Sequence, residues 1–301
     1  MKVVVAGSSG LIGSALLTSL RADGHDVVTL VRRDPRGEHE VRWSPGLGAR
    51  GADPAVRAAV DGAGAVINLA GAGVAGKRWN DAYKLEILDS RVSATTCLAT
   101  AIAESENPTP VLVSGSAGGY YGDTGPDAVD ETATKGSTFL ARVAASWEMA
   151  AEPAREAGVR VVHPRTGTVA DPEGGAFGRL LPVLRLGVGG RLGSGRQWWS
   201  LISLTDEVGA IRHVIDHDEV VGPVNIGAPQ QVTNGDLTTA LGKAMHRPTL
   251  AFVPRPVLQV VLGEFADELL IDQRMEPAVL LATGYEFAHP TIESIIADLL
   301  G

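Results

Sequence analysis

Apolar residues in the first part of the chain fall into short runs separated by stretches with helical spacing. Val3 to Ala6, Asp26 to Val31 and Ala65 to Ala70 have the length and β-branched content of buried strands. After the first run, Leu11, Ala15 and Leu16 are spaced to lay one helix face on a sheet. Val111 to Ser114 and Val159 to His163 read as a fourth and a fifth strand, the latter taken to end before Pro164. Helices are predicted over Asp53 to Val60, Asn80 to Glu104 and Ser137 to Ala157, with Asn107-Pro108 and Gly158 as stops. Strands alternating with helices predict an α/β protein: a Rossmann-like, doubly wound parallel sheet covered on both faces.

The pattern changes after residue 170. Residues 171 to 200 are rich in Gly and Arg. Thr205 to His217 predicts a helix, Val224 to Ile226 a short strand, and Asn234 is placed as the cap of a helix reaching Met245. Pro248, Pro254 and Pro256 break the chain before a closing helix from Thr291 to Leu300. The expected organisation is a nucleotide-binding domain over 1–170, with 200–227 returning to it. A smaller substrate lobe is expected over 171–199 and 228–301, including a small C-terminal domain at about 248–301.

Composition narrows the partners. A chain of 301 residues, 45% hydrophobic and 20% charged, suits a soluble globular protein. Its net charge of -9 and its scattered 26 Lys and Arg give no footprint for nucleic acid or an anionic membrane. Cys97, the single cysteine, excludes an intrachain disulfide and reads as a packed thiol in a reducing compartment. The apolar N-terminus runs into a glycine turn and does not read as a targeting segment, and no run approaches the ~18 apolar residues of a membrane span. A cytoplasmic protein is expected.

The candidate chemistry starts where the first strand ends. Gly7, Gly10 and Gly13 follow Val3 to Ala6, spaced Gly-x-x-Gly-x-x-Gly, with Ser9, Leu11 and Ile12 between them. Glycines there let the backbone approach a pyrophosphate, and the helix that follows aims unpaired N–H groups and its positive dipole end at the phosphates. At the end of the second strand an acidic residue would hold the ribose of NAD, whereas arginine accommodates the 2′-phosphate of NADP. The chain has Arg32-Arg33 there. Arg32 is assigned to the 2′-phosphate and Arg33 to the adenine or to support, which predicts NADP(H) ahead of NAD(H). A solvated basic pair is the plainer alternative, and Asp34 keeps NAD open.

Further segments carry a family resemblance. They are Asn68-Leu69-Ala70-Gly71, Lys77-Arg78-Trp79-Asn80, Ser90-Arg91, Ser116 to Gly122, Trp147-Glu148, Arg165-Thr166-Gly167, Gly189-Gly190, Gly193 to Gln197 and Asn225 to Pro229. With the glycine turn, they make the chain resemble an extended short-chain dehydrogenase/reductase of the NAD-dependent epimerase/dehydratase type. More narrowly, it resembles an atypical subgroup known as "epimerase family protein", which carries a small extra C-terminal domain. The resemblance implies that a Tyr-x-x-x-Lys pair should exchange protons with substrate. Counted back from Glu148, those positions fall on Leu140 and Ala144, neither of which titrates. The resemblance also implies that Leu69, Ala70, Gly71, Glu86, Arg91, Ser114 and Pro164 line the cofactor, Pro164 at the nicotinamide end.

Other candidates remain open. Ser116 matches the superfamily's catalytic serine, or it satisfies local backbone. Tyr121 is a substitute acid or a packing aromatic. Arg91 shares an apolar helix face with Ile87, Ala94, Leu98 and Ile102, so it needs a partner. A cofactor phosphate or ribose, an anionic substrate, or a salt bridge to Glu86 would each serve. Arg179, Arg185, Arg191 and Arg196 suit a diphosphate or are solvated loop charges, and Trp198 walls a pocket or pins the lobe. His213 and His217 lie four apart with no third ligand in view, so no metal site is predicted. Two functions stand: an NADP-dependent oxidoreductase or epimerase-like enzyme on a small, possibly nucleotide-linked substrate, with Ser116 orienting it, and a non-catalytic NADPH sensor. Oligomeric state is not readable, and a homodimer stays open.

Overall fold

Val3 and Val5 face one side of a sheet and Val4 and Ala6 the other, and all four are fully buried. Burial on both sides of one strand requires helices on both faces. The computed structural model, which describes residues 1–46 and 53–301, has that arrangement. The chain runs β1 (Lys2–Ala6), α1 (Leu11–Ala22), β2 (Asp26–Val31), β3 (Glu40–Arg42), α2 (Pro54–Val60), β4 (Ala65–Asn68), α3 (Asp81–Ala103), β5 (Val111–Ser114), β6 (Ser116–Ala117), α4 (Phe139–Met149), α5 (Glu152–Glu156), β7 (Arg160–Thr166) and β8 (Thr168–Ala170). It continues through α6 (Phe177–Arg185), β9 (Gly190–Leu192), β10 (Trp198–Trp199), β11 (Leu201–Ser203), α7 (Leu204–Asp216), β12 (Gly222–Ile226), β13 (Val232–Thr233), α8 (Asn234–Ala244), β14 (Ala251–Val253), α9 (Arg255–Leu262), α10 (Phe265–Glu268), α11 (Ala278–Ala282) and α12 (Ile292–Leu300).

The central sheet is parallel, in the order β12-β7-β5-β4-β1-β2-β3, with β6 continuing the β5 side against β7. The chain moves outward from β1 through β2 to β3, then restarts on the other side at β4. This reversal between β1 and β4 opens the crevice at the carboxyl ends of the strands, where ligands of such sheets bind. One face packs on α1 and α7 through Leu16, Leu20, Ile211 and Val214. The other packs on α2, α3 and α5 through Val56, Ala59, Leu98, Ile102 and Ala154. A separate cluster of Phe177, Leu181, Trp199, Leu237 and Ile295 forms the core of the lobe.

Several boundaries differ from the sequence reading. The fifth strand continues through Pro164 to Thr166, and Pro164 is buried inside it, paired with Val224. The proline is tolerated because it falls at a break in the neighbour: Val113 pairs with Val162, Gly115 intervenes, and Ser116 pairs with Arg165. Thr233, not Asn234, caps α8, in a reciprocal arrangement with Asp236. The predicted helix over 137–157 is two, since α4 ends at Met149 and Pro153 sits in the first turn of α5. Asn80 caps α3 by accepting from the Tyr83 N–H at 2.8 Å.

The C-terminal segment is sewn to the sheet domain. Arg78 donates to the carbonyl oxygens of Val260 (3.0 Å) and Gln259 (3.5 Å), and Lys84 pairs with Glu264. Residues 272–276 thread between two loops: Gln273 donates its N–H to Trp198 (2.9 Å), Asp272 accepts from Thr124 (2.8 Å), and Arg274 accepts from Val129 (2.9 Å).

Candidate functional site

Sterics decide the β1–α1 turn. Gly7 has φ +85°, and a Cβ there would lie 2.5 Å from the Leu69 carbonyl carbon. A Cβ on Gly13 would lie 2.2 Å from the Gly7 carbonyl oxygen. Both positions are therefore closed to any side chain: Gly7 lets the turn press against the chain leaving β4, and Gly13 lets α1 press against the turn. A Cβ on Gly10 would meet nothing nearer than 3.4 Å. Ser9 and Gly10 are exposed, and Gly10 caps α1 without any side-chain hydrogen bond. The first turn of this 12-residue helix thus carries no acidic side chain to occupy its N–H groups. Leu11 and Ile12 are half-buried behind it.

At the end of β2 the charges sort themselves. Arg33 forms a forked pair with Glu40, 2.6 and 2.5 Å, and holds that carboxyl down to about 2 with help from the Arg36 N–H. Asp34 pairs with Arg42 at 2.7 Å. Arg32 is exposed and has no partner among the described residues. The one acidic group that kept a ribose contact open is thus taken by Arg42, while Arg32 is left free.

The β4 exit is fixed from α3. Leu69 donates its N–H to Ala6 (2.9 Å), Ala70 to the Asn68 side chain (3.1 Å) and Ala72 to Ser90 (3.0 Å). Arg91 donates to the carbonyl oxygens of Ala72 (2.9 Å) and Ile87 (3.0 Å) and lies over the Trp147 ring at 5.0 Å. A Cβ on Gly71 would touch the Arg91 guanidinium group at 3.2 Å. Burial lowers Arg91 to about 10, so it stays charged at neutral pH. The salt bridge to Glu86 is not formed: Glu86 is exposed and pairs with Lys77 at 3.0 Å. The guanidinium group therefore sits at the sheet edge, between the β4 and β5 exits, without a carboxylate.

The next strands hold a closed polar network. The Ser116 hydroxyl donates to Glu148 at 2.7 Å, and Arg165 grips both Glu148 oxygens at 2.9 and 3.0 Å. Arg165 also donates to the Tyr121 hydroxyl (2.8 Å), which donates to Asn225 (2.7 Å). The Arg165 guanidinium group covers the Tyr120 ring at 3.5 Å. The Asn225 N–H donates to Glu131 at 3.0 Å. Tyr121 is buried, and burial pushes its phenol up to about 12 despite the pull of Arg165. Of the two readings, a substitute acid or a packing aromatic, this geometry favours the second: both hydrogen-bonding roles of the hydroxyl are filled, and its proton is harder to lose. Ser116 has committed its proton and keeps only acceptor capacity. Ser114 is buried, with its hydroxyl 3.5 Å from Thr95.

Three more expectations are relocated. Because β7 runs to Thr166, the residues past its end are Gly167 and Thr168, not Pro164. Arg191 is exposed on β9 and packs toward Phe252 (6.0 Å), and Arg196 is exposed on the following turn, and among the described residues neither hydrogen-bonds to the glycine turn. Trp198 pairs with β13 and is covered by Arg274 at 4.3 Å, which pins the lobe. His213 and His217 stack at 3.7 Å, and no group of three metal-binding side chains occurs among the described residues. An open groove of about 780 Å³ lies between α1, α7 and the C-terminal segment, lined by Thr18, Arg212, His213 and Tyr285, and shares no residue with the glycine turn.

Sequence and structure comparisons agree with this architecture. Residues 3–227 match the family model described as NAD dependent epimerase/dehydratase family, and 253–299 match a domain of unknown function. The chain is 46% identical to epimerase family protein Mb2239 of Mycobacterium bovis over 291 residues, 96% of this chain and 94% of that one. A crystal structure of human epimerase family protein SDR39U1 with NADPH matches with TM-score 0.88 and 32% identity, covering 99% of each chain. MoeE5 in complex with UDP-glucose and NAD matches at TM-score 0.76 and 21% identity, over 100% of this chain and 98% of that one, a likeness of fold. No helix among the described residues is long and apolar enough to cross a membrane.

Proposed function

Because the chain belongs to the NAD dependent epimerase/dehydratase family, we propose that it binds NADP(H) in preference to NAD(H). We further propose that it acts as an atypical short-chain oxidoreductase or nucleotide-sugar epimerase-like enzyme. One observation carries the reading: an uncapped helix N-terminus in a glycine cradle, flanked by Arg32, unpaired among the described residues, while Asp34 is held by Arg42. Gly7, Ser9, Gly10, Leu11, Ile12 and Gly13 would hold the pyrophosphate. Arg32 would take the 2′-phosphate, with Arg33 fixed beside it by Glu40. Leu69, Ala70, Gly71 and Ser114 would line the crevice, and Arg91 would meet a phosphate, ribose or anionic substrate. The NADPH in the human relative supports the cofactor class, and the UDP-glucose in MoeE5 motivates the nucleotide-linked substrate. The lobe over 171–199 and 228–301 would shape the substrate end. The lone Cys97 suits a reducing cytoplasm.

When bound, the coenzyme supplies a hydride at its nicotinamide ring. Ser116 Oγ, with its proton on Glu148, would accept a hydrogen bond from a substrate hydroxyl and orient it. A second reading, an NADPH sensor without turnover, is favoured by Leu140 and Ala144, two apolar side chains on α4 where the superfamily resemblance places its proton-exchanging pair. The test is incubation of NADPH with a panel of carbonyl compounds and nucleotide sugars, followed for oxidation and for deuterium exchange at C4. Exchange or oxidation that falls in Ser116→Ala supports the enzyme. Saturable NADPH binding with neither supports the sensor, and full activity in Ser116→Ala removes that assignment.

A further inference from the structure

We propose that Glu268, carried by the C-terminal domain of unknown function, is the proton-holding group at the nicotinamide end of the crevice. The inference rests on the coenzyme reading above and assigns that domain a part in it.

Position comes first. Arg32 marks the adenosine side at the β2 exit, so the other half of a dinucleotide lies across β4, toward β5 and β7. Glu268 stands on that side. Its Oε1 accepts the Leu140 N–H in the first turn of α4, at 3.4 Å. Leu140 in turn packs beneath Gly119, where a Cβ would lie 3.2 Å away. The carboxyl also borders a small, partly open cavity of about 40 Å³, together with Thr168, Trp199 and Gln273. Thr168 is the second residue past the end of β7. Arg78, Lys84 and the 272–276 strap fix the whole segment against the sheet domain.

Chemistry comes second. Glu268 Oε2 is buried with no hydrogen-bond partner among the described residues, and a buried polar atom in that state calls for an occupant. The cavity beside it has room for a water-sized group, such as one substrate oxygen. The neighbouring polar groups are spoken for: Ser116 by Glu148, Tyr121 by Asn225 and Arg165, Arg165 by Glu148. Burial raises the carboxyl above the ordinary range, opposed by the Leu140 N–H, the Thr138 hydroxyl and the Arg142 charge. Asp267 on the same helix adds to the rise, and it is itself held by Arg255 (2.8 Å) and Gln259 (3.1 Å). Glu264 is paired with Lys84. In its protonated form a carboxyl placed in this way would give its proton from Oε2 to an oxygen that becomes negative as a carbonyl takes up hydride, and would be left as carboxylate. In the forward direction the bound reduced coenzyme would supply the hydride's electron pair; in the reverse direction the alcohol proton would return to Oε2 and the hydride would go to the oxidised ring.

The test needs no substrate. Oxidised nicotinamide carries a positive charge that favours a nearby carboxylate, so NADP⁺ binding should expel the Glu268 proton and NADPH binding should not. Titration calorimetry at about pH 6, in two buffers of different ionisation heat, reads the protons released with each coenzyme. Protonation of the 2′-phosphate is common to both and cancels in the difference. The expected result is a larger proton release with NADP⁺ than with NADPH, and loss of that excess in Glu268→Gln. Glu268→Asp, with the carboxyl drawn back, should show a smaller excess. Equal release by the two coenzymes, or an excess that survives in Glu268→Gln, overturns the assignment and leaves a helix cap whose loss lowers only thermal stability. No heat with either coenzyme overturns the coenzyme reading itself, and this inference with it.

Discussion

The two ends of the crevice treat their polar groups in opposite ways. On the β1 side the donors are less committed: α1 has no side-chain cap, Arg32 has no partner among the described residues, and Arg91, at the β4 exit, bonds two carbonyl oxygens and no carboxylate. Around β7 the polar groups close on one another, with Ser116, Glu148, Arg165, Tyr121 and Asn225 forming one chain. Open donors wait for an anion from outside, whereas a closed network stabilises the fold and positions its members. Residues of the same chemical kind thus differ in role according to whether the fold satisfies them. The guanidinium groups of Arg91 and Arg165 both lie at the carboxyl edge, and only the second has a carboxylate.

The largest effect should come from the cradle. Gly7→Ala must move the Leu69–Ala70 backbone and strain a left-handed φ, so coenzyme affinity should fall about 100-fold or more, or the chain should fail to fold. Gly10→Ala meets only an ordinary contact and should keep affinity within severalfold. Equal losses in the two variants would break the steric account. The next effect should fall on stability alone. Arg165→Met strands the Glu148 carboxylate, and breaking one side of such a buried pair costs about 3–5 kcal/mol. Urea unfolding should register that loss while affinity for NADPH stays near that of the parent. A large drop in affinity with little loss of stability would reverse the roles given to the two ends.

A smaller effect should separate the two coenzymes. Arg32→Ala should weaken NADPH about tenfold or more and leave NADH unchanged, since a charge-assisted contact to the 2′-phosphate is all that is removed. A further effect is one of pH. Glu207 on α7 is fully buried, accepts the Thr166 hydroxyl at 2.7 Å, and is raised by burial to about 8. Its neutral form is the one the fold prefers, so its contribution is complete below the unfolded carboxyl range. That contribution is lost as pH rises toward about 8. Glu207→Gln should flatten this decline in melting temperature, and an unchanged slope would remove Glu207 as its cause.

Much of the open end was legible because its determinants are local. A buried strand, three glycines and an arginine after the next strand all lie within the first 33 residues. Arg91 was legible as a charge on an apolar stripe, although the sequence left Glu86 available as its partner and the structure gives Glu86 to Lys77. The closed end was not legible, because its bonds join residues far apart: Tyr121 lies 44 positions from Arg165 and 104 from Asn225. Pro164 misled by ending a strand that passes through it, because tolerance of the proline depends on a break in the neighbouring strand. Glu268 carried no local signal at all. It ends a four-residue helix, and what singles it out, an unpartnered oxygen beside Thr168 and Trp199, exists only once the lobe is folded onto the sheet.

The open end is tested most directly by titrating the purified chain with NADPH and with NADH by calorimetry at about 0.15 M ionic strength, where surface charge effects are largely screened. The account predicts saturable one-site binding of NADPH and NADH binding at least about tenfold weaker. No heat from either coenzyme, or equal affinity for both, would contradict it.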